Sequence, residues 1–486
     1  MKRSKDHSVW FVTGSQHLYG PETLRQVAEH SREMAEFFSD SLSCNVIFKP
    51  VVKTTDEITQ VCMDASADPS CIGVITWMHT FSPSKMWITG LRLLAKPLLH
   101  LHTQYNRDIP FAAIDMDFMN LNQSAHGDRE HGYIGARLRL KRKVVAGHWQ
   151  DPTVLRRMDD WMKAAIGAAA SRAVKVARFG DNMREVAVTE GDKVEAQLRF
   201  GWSVNTYGIG DLAQQINNIP EAAVDSLMAE YAKWYTMGSD LLQNVRVQAR
   251  FELAMKTFLE EGGFSAFTTT FEDLSGLEQL PGLAVQRLME AGYGFGAEGD
   301  WKTAALVHIF KAMSDNNRTS FMEDYTYHLE PGNELVLGAH MLEICPTLAA
   351  SRPTIEVHPL GIGGKADPAR LVFSGCEGKA VCASLVDMGD RFRLIVNEVV
   401  AVKPPQEMPN LPVARMMWQP LPSLTTAAEA WIYAGGAHHT AMSFAVTSDQ
   451  LRDLAEILGI EYLQIDGKTD IDSFRQQLIY NEMAWR

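Results

Sequence analysis

The feature that most constrains this chain is an alternation at its N-terminal end. Over the first 120 residues short apolar runs take turns with amphipathic stretches. Val9-Trp-Phe-Val12 stops at Thr13-Gly14. Gly20-Pro21 then opens a helix with proline at its first position, whose apolar stripe runs through Leu24, Val27, Met34 and Phe38. Val46-Ile-Phe48 predicts the next strand, and Thr54-x-x-Glu57 is a capping box for a second helix. Ile72–Trp77 predicts a third strand, Ser84–Ala95 a helix and Leu98–His102 a fourth strand. Short apolar strands separated by amphipathic helices require a parallel sheet covered on both faces. Ligands of such sheets sit at the C-terminal strand ends, which here carry Gln16-His17, His79-Thr80 and His102-Thr103-Gln104.

The pattern restarts at Ala173–Gly180 and runs through helices near 221–235 and 240–261, a strand near 266–271, and helices at 283–291 and 301–313. From about residue 320 the character changes. Ser320–Leu329, Leu335–Ile344, Ala369–Phe373, Val381–Asp387 and Phe392–Val402 read as strands with short turns, the signature of an antiparallel sheet or barrel. The expectation is an α/β protein of three domains. Two Rossmann-like or flavodoxin-like parallel-sheet domains, 1–172 and 173–319, precede a β-rich, barrel-like domain, 320–486.

Charge narrows the partners. The formal net charge is −13 and the chain has no Lys/Arg run. Neither phosphate neutralisation nor an anionic membrane surface is served by such a chain, so no nucleic acid and no membrane partner is expected. The basic N-terminus lacks the apolar core of a secretory signal. The six cysteines form no C-x-x-C pair and read as reduced thiols, which suggests the cytoplasm.

Several motifs carry chemistry. Gly14-Ser-Gln-His-Leu-Tyr-Gly20 has neither dinucleotide nor P-loop spacing, and it reads equally as a polar ligand contact or a plain turn. In Tyr293-Gly-Phe-Gly-Ala-Glu298-Gly-Asp300-Trp301, Asp300 is explained as a helix N-cap. Glu298, among small residues that let a ligand or metal approach, has no such structural explanation beyond an exposed loop. Pro331-Gly332-Asn333 is a turn between two strand patterns. A two-residue loop at Gly332-Asn333 places Tyr325 opposite His340 and Glu323 diagonal to it on the same face, with Cβ atoms about 7 Å apart. A carboxylate and an imidazole so placed can share an ion; the plain alternative is a solvated cross-strand pair. In Gly435-Gly-Ala-His438-His439-Thr440, strand alternation lets at most one of the two histidines ligate a given ion.

Glu298, Glu323, His340 and one of His438/His439 therefore form a two-carboxylate, two-imidazole set. Mixed oxygen and nitrogen donors suit Mn²⁺, Co²⁺ or Fe²⁺, with Zn²⁺ possible and Mg²⁺ weaker. The sequence has no G-x-S-x-G and no His-x-x-x-His metalloprotease spacing. A metal-dependent hydrolase or a non-catalytic sugar-binding protein stays open on these residues alone.

Taken together, the motifs resemble the bacterial L-arabinose isomerase family across nearly the whole chain. The resemblance is carried by Trp10–Leu24, Phe118–Gly127, Arg178–Val186, Phe267–Asp273, Glu298–Thr303, Phe321–His328, Gly361–Lys365 and Gly435–Thr440. It implies a fucose isomerase-like architecture, with L-fucose isomerase as the nearest competing activity. It implies metal ligands at Glu298, Glu323, His340 and His439, and it is the resemblance that selects His439 over His438. It implies Glu298 and Glu323 as the catalytic proton-transfer pair, and substrate contacts at Gln16, Met183, Phe271, Tyr325 and His438. His126 matches a residue supplied by a neighbouring subunit. The resemblance further implies one Mn²⁺ per subunit, with Co²⁺ or Mg²⁺ as substitutes, and a homohexamer built as a dimer of trimers. The reaction implied is L-arabinose to L-ribulose through a cis-enediol, the first step of L-arabinose catabolism, with D-galactose converted to D-tagatose more slowly.

Overall fold

The structure, a computed structural model, describes residues 3–238 and 241–485. The chain separates into two compact units, Met1–Ala169 with Arg452–Ile457, and Ala170–Leu451 with Leu458–Arg486.

The first unit is built on five strands: β1 (Ser8–Gly14), β2 (Asn45–Phe48), β3 (Cys71–Met78), β4 (Leu98–His102) and β5 (Lys143–Ala146). They form one parallel sheet in the order β2-β1-β3-β4-β5. Every residue of β1 and β3 is buried, as the unbroken apolar runs require. Trp10, Val12, Val74, Met78 and Leu98 pack with Ile58, Trp87 and Leu91 of the covering helices. The expected helix at 84–95 is a 3₁₀ turn, Ser84–Trp87, running into a short helix, Ile88–Leu93. β5 follows a segment that gave no strand signal.

The second unit contains β6 (Lys175–Phe179), β7 (Ser203–Tyr207), β8 (Thr236–Met237), β9 (Ala266–Thr268) and β10 (Gly294–Gly296). Of these, four make a parallel sheet in the order β10-β9-β6-β7. Helix Trp301–Met313 packs on it and is almost wholly buried. A Cβ on Gly294 would lie 2.1 Å from the Ala304 carbonyl, and one on Gly296 2.2 Å from that of Asp300. The small residues of this segment therefore serve close backbone packing onto the helix.

The remaining strands are β11 (Thr319–His328), β12 (Leu335–Ala339), β13 (Thr354–Val357), β14 (Ala369–Val372), β15 (Gly378–Asp387), β16 (Phe392–Val402), β17 (Arg415–Pro420), β18 (His439–Ser443) and β19 (Glu461–Ile465). The order β15-β18-β11-β12-β17-β16, closed by β15–β16 pairing, is a six-stranded antiparallel barrel. β19 adds to β16 in parallel. β14, expected within this sheet, instead pairs with β13, which pairs with β8 in a separate three-stranded sheet.

The β11–β12 hairpin corrects the expected register. Glu330–Asn333 is a turn closed by Asn333 N–H to the Glu330 carbonyl (2.9 Å), with Gly332 at φ 83°. Proline and then glycine at its centre are what a type II turn needs. The centre of the turn is thus Pro331-Gly332, one residue before the expected Gly332-Asn333 loop. His328 is the last β11 residue to pair, with Leu335, and a bulge at Tyr325 then shifts the ladder so that Glu323 faces Ala339 instead of Tyr325 facing His340. By pleat alternation Glu323 and His340 would point to opposite faces. They nevertheless converge, because β12 ends at Ala339 and His340 lies beyond the strand's control.

Candidate functional site

Glu298 sits in the loop between β10 and helix Trp301–Met313, with φ at 57°, a conformation that few non-glycine residues adopt. The loop is held on both sides. Met183 N–H donates to the Glu298 carbonyl (3.2 Å), and Gly299 N–H donates to the Thr269 carbonyl (3.0 Å). Gly299 has φ 81°, and a Cβ there would lie 2.6 Å from the Asn182 Cα, so only glycine fits. Glu323 lies on β11 directly across from His439 of β18.

These elements bring four expected residues, and His438, together. His340 Nε2 is 3.7 Å from Glu323 Oε2, and His439 Nε2 is 3.9 Å from Glu298 Oε2. His438 Nε2 is 3.4 Å from the same Glu298 oxygen. One donor atom each of Glu298, His340 and His439 lies within 4.8 Å of the others, and the same holds for Glu323, His438 and His439. Both histidines of the pair reach the carboxylates because His438 precedes β18 and escapes its alternation.

Behind the two buried imidazoles stand two buried carboxylates. His439 Nδ1 is 3.2 Å from Asp300 Oδ2, and His340 Nδ1 is 2.5 Å from Glu343 Oε2. With Nδ1–H donating to a carboxylate, each ring presents its Nε2 lone pair forward. Asp300 also caps the following helix through Thr303 N–H (3.1 Å). Its N-cap role was legible in sequence; its hold on His439 was not. Glu343 was missed altogether. It follows His340 at three residues in an irregular segment, where spacing carries no information about facing.

The donor set fits a divalent cation. His439 Nε2 is buried without a hydrogen-bond partner, which is costly unless something binds it. Burial lowers the His439 pKa and keeps the ring a neutral ligand, even beside Asp300. His340 is raised: burial opposes its charge, but Glu343, Glu323 and Glu298 outweigh that. Asp300, though buried, is held down to about 2 by Lys302 and His439. Burial disfavours ionisation of Glu298, yet the His438 hydrogen bond and the neighbouring imidazoles leave it below the usual range. Burial, with Glu298 and Glu343, raises Glu323 above it. Phe321 sets its edge against both rings, at 5.1 Å from His340 and 5.0 Å from His439, and Phe271 stacks on His340 at 5.9 Å.

Of the expected substrate contacts, Met183 adjoins Glu298 by its backbone and Phe271 adjoins His340. Tyr325 is the bulge residue of β11; it is half exposed, with its hydroxyl 3.9 Å from Met341 Sδ. Gln16 and His126 belong to the other unit. Gln16 follows the C-terminal end of β1. His126 stacks on Phe81 at 4.6 Å and lines a cavity of about 810 Å³ with His102, Gln123 and His148.

Parallel α/β sheets, a closed barrel, and two carboxylates facing two carboxylate-buttressed imidazoles define an α/β protein whose oxygen and nitrogen donors could hold a cation. The profiles of the L-arabinose isomerase N-terminal, central and C-terminal domains match residues 3–173, 175–316 and 318–461. L-arabinose isomerase of Anoxybacillus flavithermus is 64% identical over 489 residues, covering 99% of this chain and 98% of its own. That of Geobacillus kaustophilus is 64% identical over 490 residues, covering 99% of both chains. A Thermotoga sp. relative of the same name is 58% identical over 487 residues, covering 99% and 98%. The chain belongs to the L-arabinose isomerase family, and it is an isomerase of the aldose–ketose class. Among solved structures, a solute-binding protein of Burkholderia graminis in complex with D-arabinose covers 65% of this chain and 92% of its own. It does so at 14% identity and a TM-score of 0.18, too low to bear on fold or function.

Proposed function

We propose that this chain converts L-arabinose to L-ribulose through a cis-enediol, and D-galactose to D-tagatose more slowly. The observation that carries the reading is the convergence of Glu298 and Glu323 on two buried Nε2 atoms, one of them without any partner. Glu298, Glu323, His340 and His439 would hold one Mn²⁺ per chain, with Co²⁺ or Mg²⁺ as substitutes. The ion would supply Lewis-acid polarisation of the sugar carbonyl and its neighbouring hydroxyl.

The chain's own groups do the rest. Glu298 and Glu323 move the proton between C1 and C2, one taking it as the other serves the oxygen. Asp300 and Glu343 hold the imidazoles in the tautomer the site needs. Met183 and Phe271 offer apolar surface to the sugar, while Gln16, Tyr325 and His438 offer hydrogen bonds to its hydroxyls. His126 comes from a neighbouring copy in a hexamer arranged as a dimer of trimers. The division into domains at 1–172, 173–319 and 320–486 is supported by the nearby profile boundaries. Among the described residues no helix is long and apolar enough to cross a membrane, and all six cysteines are free thiols. Both support a cytoplasmic enzyme acting first in L-arabinose catabolism.

The test is ketose formation from a panel of L- and D-aldoses, before and after chelation and with Mn²⁺ restored. L-Arabinose and D-galactose share configuration at C2, C3 and C4; the extra hydroxymethyl group of galactose should cost about 1–3 kcal/mol in specificity. L-Ribose, the C2 epimer, should not react. Equal turnover of L-arabinose and L-ribose, full activity after chelation, or a fully active monomer in sedimentation would each contradict part of the reading.

A further inference from the structure

The barrel has an interior of its own, on the far side of β11 from the cation site. Glu323 points out of the barrel toward His439; its neighbour Asp324 borders a cavity of about 230 Å³ under helix Leu424–Ala434. The wall beside Asp324 is aromatic. Gly338 is its cross-strand partner, and the Trp418 ring occupies the place where a Cβ on Gly338 would sit. Trp431, from the helix, and Tyr327 complete the apolar surround.

The decisive feature is the charge balance. Three of the wall's nitrogen and hydroxyl donors are committed to backbone carbonyls. Asn397 Nδ2 bonds the carbonyls of Glu398, Leu421 and Ile465 (3.2, 3.0 and 3.1 Å). Trp431 Nε1 bonds that of Ala437 (2.9 Å), and Thr440 Oγ1 that of Met322 (3.1 Å). The His438 ring also borders the cavity, but its Nε2 is turned to Glu298. No Lys or Arg lines the cavity, and no side chain among the described residues makes a hydrogen bond or salt bridge to Asp324. The Tyr327 hydroxyl and the Cys382 thiol remain as neutral donors on the wall, but the chamber has a carboxyl and π faces with no Lys or Arg to match.

We propose that this barrel cavity is a second ligand site, separate from the cation site, that takes a small organic ammonium on the Asp324 carboxyl and the Trp418, Trp431 and Tyr327 surfaces. An ammonium brings the missing charge together with its N–H donors, and its alkyl part is covered by the indoles, the chemistry by which aromatic cages hold such cations. The cavity is below the size of drug-sized pockets, so the ligand has few carbons.

The experiment is isothermal titration of the full chain with n-butylammonium, n-butanol and erythritol, with and without saturating Mn²⁺. Butylammonium should bind at least about tenfold more tightly than either neutral molecule, Mn²⁺ should leave that binding unchanged, and Asp324→Asn should weaken it by about tenfold or more. Trp431→Leu, on the covering helix, should weaken it as well and keeps the test decisive if Asp324→Asn does not fold. Butanol or erythritol binding as well as butylammonium would overturn the proposal. Displacement by Mn²⁺ would place the ammonium at Glu298 and Glu323 and overturn it too. None of these readouts depends on isomerase activity, so the proposal and the reading of the catalytic site stand or fall separately.

Discussion

Glu343 offers the sharpest test of how the site is held. Its carboxylate is 3% exposed and accepts two hydrogen bonds, from His340 Nδ1 at 2.5 Å and from Leu342 N–H at 3.1 Å. Unlike Asp300 it caps no helix, so its replacement reports on His340 with little else disturbed. In Glu343→Gln the amide oxygen can still accept both bonds, and the ring keeps its tautomer. What disappears is the negative charge that makes Nε2 a stronger donor toward a cation. Carboxylates behind ligating histidines typically contribute about 10–100-fold in metal affinity. With the geometry retained, Glu343→Gln belongs at the low end, about tenfold or ~1.4 kcal/mol. Glu343→Ala also strands the His340 and Leu342 donors in a buried site, at about 1–3 kcal/mol for each unsatisfied group. It frees the ring to turn, and belongs at or beyond about 100-fold. The assay is Mn²⁺ titration of the chelated protein at pH 7, with urea midpoints measured in parallel to separate affinity from stability. Unchanged Mn²⁺ affinity in both variants would refute the reasoning, since His340 would then not depend on Glu343.

Three further outcomes are expected. Glu298→Gln or Glu323→Gln should lower kcat by roughly 10²–10⁴ with Mn²⁺ saturating, read as ketose formed per chain. Gly299→Ala forces a side chain into a φ of 81° and against Asn182; it should destabilise the chain by more than about 1 kcal/mol and reduce kcat by displacing Glu298, as urea midpoints and turnover will show. His79 is buried, and burial together with His30 depresses its pKa from 6.5 to about 3. The unfolded chain therefore binds a proton there that the folded chain does not, so this group's contribution falls as pH drops below about 6.5. Its share of the slope is about 1.4 kcal/mol per pH unit down to near pH 4, and His79→Gln should flatten the urea midpoint's pH dependence across that range.

Sequence reasoning succeeded where one physical effect dominated. β1 and β3 are buried on both faces, so their apolar runs were unambiguous. β7 and β10 went unread because each mixes exposed polar positions or glycines into a short strand, and β5 because it has only four residues with a single buried one. The hairpin is the instructive case. The Pro331-Gly332-Asn333 signal marked the turn, but its centre is Pro331-Gly332 rather than the expected Gly332-Asn333, and a bulge at Tyr325, which has no composition signal of its own, shifts the ladder by a further residue. Glu323 and His340 still meet, through the end of β12 rather than through the pleat. The pairing of His438 and His439 failed to follow alternation for the same reason: one member stands outside the strand. Asp300 was explained by its cap, which concealed that a carboxylate has lone pairs to spare. Its second oxygen reaches His439 across a separation of 139 residues.

That double use of Asp300 accounts for the strained residue beside it. A left-handed φ at Glu298 costs on the order of 1–2 kcal/mol and persists only if its surroundings hold it there. They do so from three directions. Met183 and Thr269 grip the backbone on either side of the loop, Gly299 seats it against Asn182 without a side chain, and Asp300 fixes its end by capping the helix through Thr303. Because Asp300 simultaneously orients His439, the loop that aims the Glu298 carboxylate and the residue that aims its facing imidazole share one anchor. An error in the helix start would displace both groups together, whereas independent anchors would let the Glu298–His439 separation drift. A cation held between them needs that separation constant to a few tenths of an ångström, since ligand bonds vary by only about 0.2 Å. The buried Lys302, 3.8 Å from the other Asp300 oxygen, completes the arrangement by keeping the anchor ionised.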